Sequence, residues 1–368
     1  MRIKKIKRSR IIKCVLVFCL FCFANISQAA PSISAVNGTI SHGNSVIISG
    51  TEFGAKTTAL PNLWDTVDNQ SSYNSFSNGE ILDYNHHVGF PYPYDNSGAV
   101  ANTDTTYCNV SEEQRSSYST ACYKGINNHK NSVSREDHQD GGDQFYVAFW
   151  LKLESNIFGN ESEKWFRGIH NTPDFSQRTF TWSQLNSGVY DTYDSCPGGA
   201  CVTGKGSKPS ANTWTFMELY FDNINYSYTL KMNNSAVDMN RSWAIDSADC
   251  RITKAWIIGR DAGGVLPSNI TSWLDDIYLD NTFQHVVIGN APTYSACNHL
   301  EIQPATAWSS NGQSITVILN QGSFSDGSIA YLYVVDSDGT ANETGYPITL
   351  SGSSDAIAPT APSGLDVS

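Results

Sequence analysis

From Gln144 to Glu154 the side chains alternate with a period of two. Phe145, Val147, Phe149, Leu151 and Leu153 share one side, and Tyr146, Ala148, Trp150 and Lys152 share the other. That period marks an extended strand whose two faces meet different surroundings. TWTFMELYFD repeats it, setting Met217, Leu219 and Phe221 against Trp214, Phe216, Glu218, Tyr220 and Asp222. KWFRGIHN places Lys164, Phe166 and His170 opposite Trp165, Arg167 and Ile169, and YSYTLKMNN, TKAWIIGRDAG and SWLDDIYLDN continue the series. Short β-rich runs separated by Asn, Gly and Ser turns recur along the chain, and helix signals are few. An all-β protein is expected.

The two ends of the chain each read as an unfinished domain. SHGNSVIISGTEFGAK has a turn at His42-Gly43, a strand carrying Val46 and Ile48, and a second glycine turn from Gly50 to Gly54 around Phe53. Such a hairpin needs more strands to cover its apolar face. Strand candidates Ile315–Leu319, Ala330–Val335 and Tyr346–Leu350, with turns NQGSFSDG and DSDG, are equally short of a core. ISAVNGTISHGNSVIISGTEFG resembles the first half of an IPT/TIG domain, an immunoglobulin-like sandwich. HVVIGNAP, SITVILNQGSFSDG and AYLYVVDSDG are similar to its later strands in the same order. The resemblance implies one sandwich split into residues 31–56 and 283–352, with residues 57–282 inserted in a loop, where insertions are best tolerated.

FYVAFWLKLE, NTWTFMELYFD, YTLKMNN and WLDDIYLDN follow one another in an order that resembles the concanavalin A-like lectin/glucanase jelly roll. The expected fold class is therefore all-β, an immunoglobulin-like sandwich with an inserted concanavalin A-like jelly roll. In that family the inner curved sheet carries the carbohydrate site. Lectins, laminin G-like domains, laminarinase-type glycosidases and jelly-roll polysaccharide lyases share these cues, so they speak to architecture more than activity. Residues 59–142 are less regular and are expected to supply edge strands and long loops over one end or the concave face. DAIAPTAPSGLDVS, residues 353–368, is similar to a linker leading into a fibronectin type III domain.

The first 30 residues change the picture of address. MRIKKIKRSRIIK is basic, CVLVFCLFCF is apolar, and ANISQAA ends in small residues, the three regions of a secretory signal peptide. No later run is long and apolar enough for a transmembrane helix. Seven of the 23 basic residues belong to the leader, which takes the formal net charge from −12 to −19. Such a surface repels nucleic-acid phosphates and anionic membranes and disfavours a highly anionic polysaccharide. Six cysteines follow the leader, an even number that suggests disulfides in an exported chain. Cys108–Cys122 and Cys196–Cys201 are the natural local pairs, and Cys250–Cys297 is left by elimination.

Candidate chemistry centres on the second face of the alternating strands. Sugars offer apolar C–H faces and hydroxyls, which aromatic rings and polar side chains can meet. Tyr146, Trp150, Lys152, Trp214, Glu218 and Tyr220 have that composition, with Phe216 among them, unless loops simply bury them as a second core. Glu218 and Asp222, four apart on one strand face, resemble the paired carboxylates of laminarinase-type glycosidases. The middle position here is Tyr220, and Asp222 is shorter than the family's Glu. Arg167, His170 and Tyr190 or Tyr193 suit a polysaccharide lyase, in which a cation neutralises a uronate and His or Tyr moves the proton. The odd spacing of Arg167 and His170 needs a bulge at Gly168. Asp275, Asp276 and Asp280 suit a structural calcium, the one cofactor suggested. The expected function is extracellular carbohydrate binding or adhesion without turnover, the partner a polysaccharide or glycan. A lyase or glycosidase, and a structural spacer of a multidomain surface protein, are the alternatives.

Overall fold

The computed structural model describes residues 29–69, 73–80, 105–125, 131–135, 142–154, 163–170, 179–184, 190–194, 201–203, 208–242, 251–260 and 271–352. The leader, the C-terminal linker, Cys196 and Cys250 lie outside them. The described chain is all-β. It begins with β1 (Ser32–Gly38) and β2 (Ser45–Thr51). The middle of the chain supplies β3 (Leu63–Asp65), β4 (Thr105–Cys108), β5 (Cys122–Gly125), β6 (Asn131–Arg135), β7 (Gln144–Leu153) and β8 (Glu163–His170). It continues with β9 (Thr179–Gln184), β10 (Tyr190–Asp194), β11 (Cys201–Thr203), β12 (Thr215–Asp222), β13 (Ser227–Met232), β14 (Ser235–Ser242), β15 (Ile252–Arg260) and β16 (Ser272–Asp280). The last strands are β17 (His285–Gly289), β18 (Leu300–Gln303), β19 (Ala305–Trp308), β20 (Ser314–Ile318), β21 (Ile329–Val335) and β22 (Tyr346–Thr349).

Four sheets result. Strands from both chain ends form one of them, in the order β1-β2-β20-β19, with Val46 opposite Val317 and Ile48 opposite Ile315. It faces a sheet of order β18-β17-β21-β22 across a core that includes Val46, Ile48, Phe53, Val317, Leu332 and Val334. The inner turn residues lock this sandwich. Phe53 N–H donates to Gly312 O at 3.1 Å, and Trp308 Nε1–H to Gly54 O at 2.9 Å. Gly312 sits at φ +64°, and a Cβ there would lie 2.7 Å from Gly54 O, so only glycine fits.

The middle of the chain forms a second sandwich. Its sheets are β14-β13-β12-β7-β16-β5-β4, with β3 also on β16, and β11-β10-β9-β8-β15-β6. Phe145, Val147, Phe149, Leu151, Met217, Leu219 and Phe221 fill the space between them, as the period-two pattern requires. Trp165 and Phe166 both enter that core, although strict alternation separates them. The β8–β9 register shifts between Lys164 and Phe166, and this irregularity turns the two rings to one side.

The crossing between the two sandwiches is clamped by charge. Lys56 leaves the first half of the terminal sandwich, and Asp280 ends β16 on the way back. Lys56 Nζ lies 2.5 Å from Asp280 Oδ2 and donates to Gln284 O at 3.0 Å, both side chains almost fully enclosed. Gln284 in turn donates to Phe53 O at 2.9 Å. Burial pushes the Asp280 carboxyl above its ordinary value, and Lys56 opposes that. Lys56→Met is expected to cost about 2–3 kcal/mol in urea unfolding, because Tyr278 Oη–H at 2.9 Å still serves the stranded carboxylate. A variant within about 0.5 kcal/mol of the parent would show that the clamp contributes no stability.

Candidate functional site

The face that the alternation sets apart, Tyr146, Trp150, Phe216 and Tyr220, is closed. It packs against Val287, Leu300, Ile302 and Tyr333 of the neighbouring sandwich. β17 and β21 are apolar on both sides for this reason. Val286 and Ile288 point into the terminal core and Val287 into the seam. Tyr146 is 0% exposed, Trp150 3%, Glu218 0% and Tyr220 6%. These residues are therefore enclosed between two sheets, not presented as an open concave platform.

Each earlier candidate has a definite place. Glu218 accepts from Tyr146 Oη–H and Tyr220 Oη–H, both at 3.0 Å, and its second oxygen is buried without a partner. A glycosidic bond cannot reach it. Asp222 caps the β12–β13 turn, accepting from Ile224 N–H at 3.0 Å and Asn225 N–H at 2.9 Å. The two carboxylates form no catalytic pair. Lys152 lies between Trp214 and Trp273, at 5.2 and 4.3 Å from their ring centres, beside the Cys108–Cys122 disulfide. Arg167, His170 and Tyr190 sit on β8 and β10, and their side chains lie outside the described residues. The irregularity in β8 falls at Trp165 rather than at Gly168, and the shift facing Gly168–His170 belongs to β15. Cys297 is free and buried, against Ala291 O and Tyr333 Oη, which corrects the pairing with Cys250.

Asp275, Asp276 and Asp280 hold cationic side chains. Arg115 Nε lies 3.2 Å from Asp275 Oδ2, another guanidinium nitrogen contacts Asp276, and Nη1 lies 2.6 Å from Glu301 Oε1 on the terminal sandwich. The Arg115 guanidinium carbon lies over the Trp150 ring, 4.8 Å from its centroid. Both aspartates reach one guanidinium because β16 is irregular between Asp275 and Tyr278, with Asp276 at φ +46°. Burial pushes Asp275 well up, Asp276 beside it adding to this. Burial raises Asp276 as well, against the pull of Arg115. Burial would also raise Glu301, but Arg115 and His299 overcome it and hold the group down. Among the described residues, no cluster of three or more His, Cys, Asp or Glu is arranged to hold a metal ion.

The seam opens on one margin into a groove of about 230 Å³. β3 brings Trp64 to it, because Leu63 and Asp65 turn inward and leave Trp64 between them half-buried. The loop closed by Cys108–Cys122 brings Tyr118, and the first hairpin brings His42. His42 and Tyr118 stack at 5.0 Å, and Tyr118 Oη–H donates to Asp326 at 2.6 Å. Thr66, Asp68, Asn69 and Asn320 supply the polar lining. Asp68 accepts from Thr120 N–H, Thr120 Oγ1–H and Ala121 N–H. Burial raises the Asp68 carboxyl while those donors oppose it. Burial lowers the His42 imidazole, with Asp68 opposing and Arg115 assisting. Its Nδ1 accepts from Gln321 N–H at 3.2 Å.

Trp64, Tyr118 and Arg115 carry little signal along the chain. A faint signal existed for Arg115, the one Arg or Lys between Lys56 and Lys124, set between two cysteines. LWD was too short a run to assign a face, and Tyr118 stood in a loop with no period.

No family model and no curated protein matches the chain. Solved structures with detectable likeness include botulinum neurotoxin type C, described with two ganglioside molecules, at 9% identity over 60% of this chain and 63% of that one, TM-score 0.34. The binding domain of botulinum neurotoxin DC with rat synaptotagmin II is 8% identical over 60% and 64%, TM-score 0.34. A Trypanosoma rangeli sialidase is 8% identical over 49% and 29%, TM-score 0.31. The chain thus covers less than two thirds of each, and likeness of this extent carries nothing about ligand or chemistry.

Proposed function

We propose that the chain is an extracellular glycan-binding module without turnover, and that the glycan lies in the groove at the seam margin. The observation that carries this reading is the composition of that groove. Two aromatic side chains, Trp64 and Tyr118, stand beside a carboxylate, two amides and a hydroxyl in about 230 Å³. Rings stack on the apolar face of a sugar while carboxylate and amide groups meet its hydroxyls. Both sandwiches contribute walls, a common position for a ligand site. The Cys108–Cys122 disulfide supports an oxidising, extracellular setting. No helix among the described residues is long and apolar enough to cross a membrane.

Trp64→Ala tests the reading on a glycan array followed by titration of the best binder. Affinity is expected to fall about tenfold or more, as for an aromatic anchor, in a variant that stays folded but loses the Trp64–Tyr278 edge contact and with it some stability. Unchanged affinity in a folded variant would move the site elsewhere. A second reading, a rigid spacer of a larger surface protein, is favoured by the closed seam and its buried Arg115 lock. It expects no glycan to bind at all.

A further inference from the structure

We infer that this groove takes neutral or amino-bearing glycans and turns away uronates, sialates and sulfated sugars, with Asp68 as the discriminating group. The inference rests on the glycan reading above and deepens it. Asp68 is exposed on the groove wall; partial burial of its carboxyl raises it, and the Thr120 and Ala121 donors favour the ionised form against that. Asp326, behind Tyr118, accepts from Tyr118 and Gln321, and those bonds hold its carboxyl below the ordinary value. Arg115, whose charge reaches His42, is enclosed and already surrounded by Asp275, Asp276 and Glu301. His42 supplies no positive charge near neutral pH, because burial favours its uncharged form. A chain of net charge −12 adds a repulsive field for any anion approaching this margin.

A sugar carboxylate in the groove would therefore face Asp68, and among the described residues no Lys or Arg lines the groove to neutralise it. A neutral sugar needs only hydroxyl contacts, and an amino group gains attraction. At a separation of several ångströms near a protein surface, one such charge pair is worth about a three- to tenfold difference in affinity. The attraction weakens as salt is raised.

The experiment uses the full chain on an array carrying neutral, amino-bearing and acidic glycans. Titrations at low and high salt follow with chitosan, N-acetylchitosan and galacturonan oligomers. The expected result is binding of neutral and amino glycans, an amino preference that shrinks with salt, and no acidic binder. Asp68→Asn keeps an acceptor for Thr120 and is expected to erase the amino preference and admit the uronate. Asp68→Glu is expected to restore the exclusion. Acidic glycans binding as well as neutral ones, or an Asp68→Asn profile identical to the parent's, would overturn the charge rule and leave the glycan site standing. Absence of any binder from the array would remove both.

Discussion

Replacing Arg115 with methionine is expected to lower the unfolding free energy by about 3–5 kcal/mol, the range for stranding buried charges. The guanidinium is enclosed and serves three carboxylates at once, two on β16 and one, Glu301, on β18. It is thereby the charge that holds the second sandwich to the first on this margin. Methionine fills much of the space over Trp150 but leaves the acids without a counterion. The loss is expected to be smaller in acid, where those carboxyls take up protons. Arg115→Lys keeps the charge but not the fork that meets several acceptors, and is expected to recover only part of the loss. Urea unfolding at pH 7 and pH 5 checks this. A methionine variant within about 1 kcal/mol of the parent would mean that the apolar seam alone joins the sandwiches.

The second large effect concerns His285. Its ring is fully buried and stacked on Tyr146, centroids 4.4 Å apart and planes within 9°. Nδ1 lies 2.6 Å from Phe283 O, so the neutral ring donates there. Burial pushes the imidazole from 6.5 down to about 3, with Lys231 and Lys56 adding to the effect and the Phe283 carbonyl opposing it. The unfolded chain therefore binds a proton near pH 6.5 that the folded chain refuses until about pH 3. Stability from this site is fully present above pH 6.5 and is lost as the pH falls, at roughly 1.4 kcal/mol per unit. The full loss is on the order of 5 kcal/mol.

Asp276 runs the other way, since its folded carboxyl is raised from 3.8 to about 6. It favours the folded chain below 3.8, and that contribution disappears as the pH rises through 6. The two slopes oppose each other over most of the interval, so the His285 contribution is read from a difference between variants and not from the parent alone. His285→Phe keeps a ring against Tyr146 and removes the titration. The parent is expected to lose stability relative to this variant as the pH falls from 6.5 to 4. A pH-independent difference between the two would mean that His285 titrates alike in both states.

Alternation along the chain is enough to say which residues share a face. Period two in β7 and β12 divides Phe145, Val147 and Met217 from Tyr146, Trp150 and Glu218 whatever the strands later meet. It also carried the all-β character and the local Cys108–Cys122 closure, because both follow from neighbours along the chain. Tertiary structure decided what covers each face. Nothing near Tyr146 in the chain announces His285, and nothing near Trp150 announces Leu300 or Arg115. The bulges that turn Trp165 beside Phe166, and Asp275 and Asp276 toward one guanidinium, arise from pairing with another strand. Local alternation cannot encode them. An aromatic face reads the same in sequence whether a sugar or a second sheet lies on it, since both remove the same apolar surface from water.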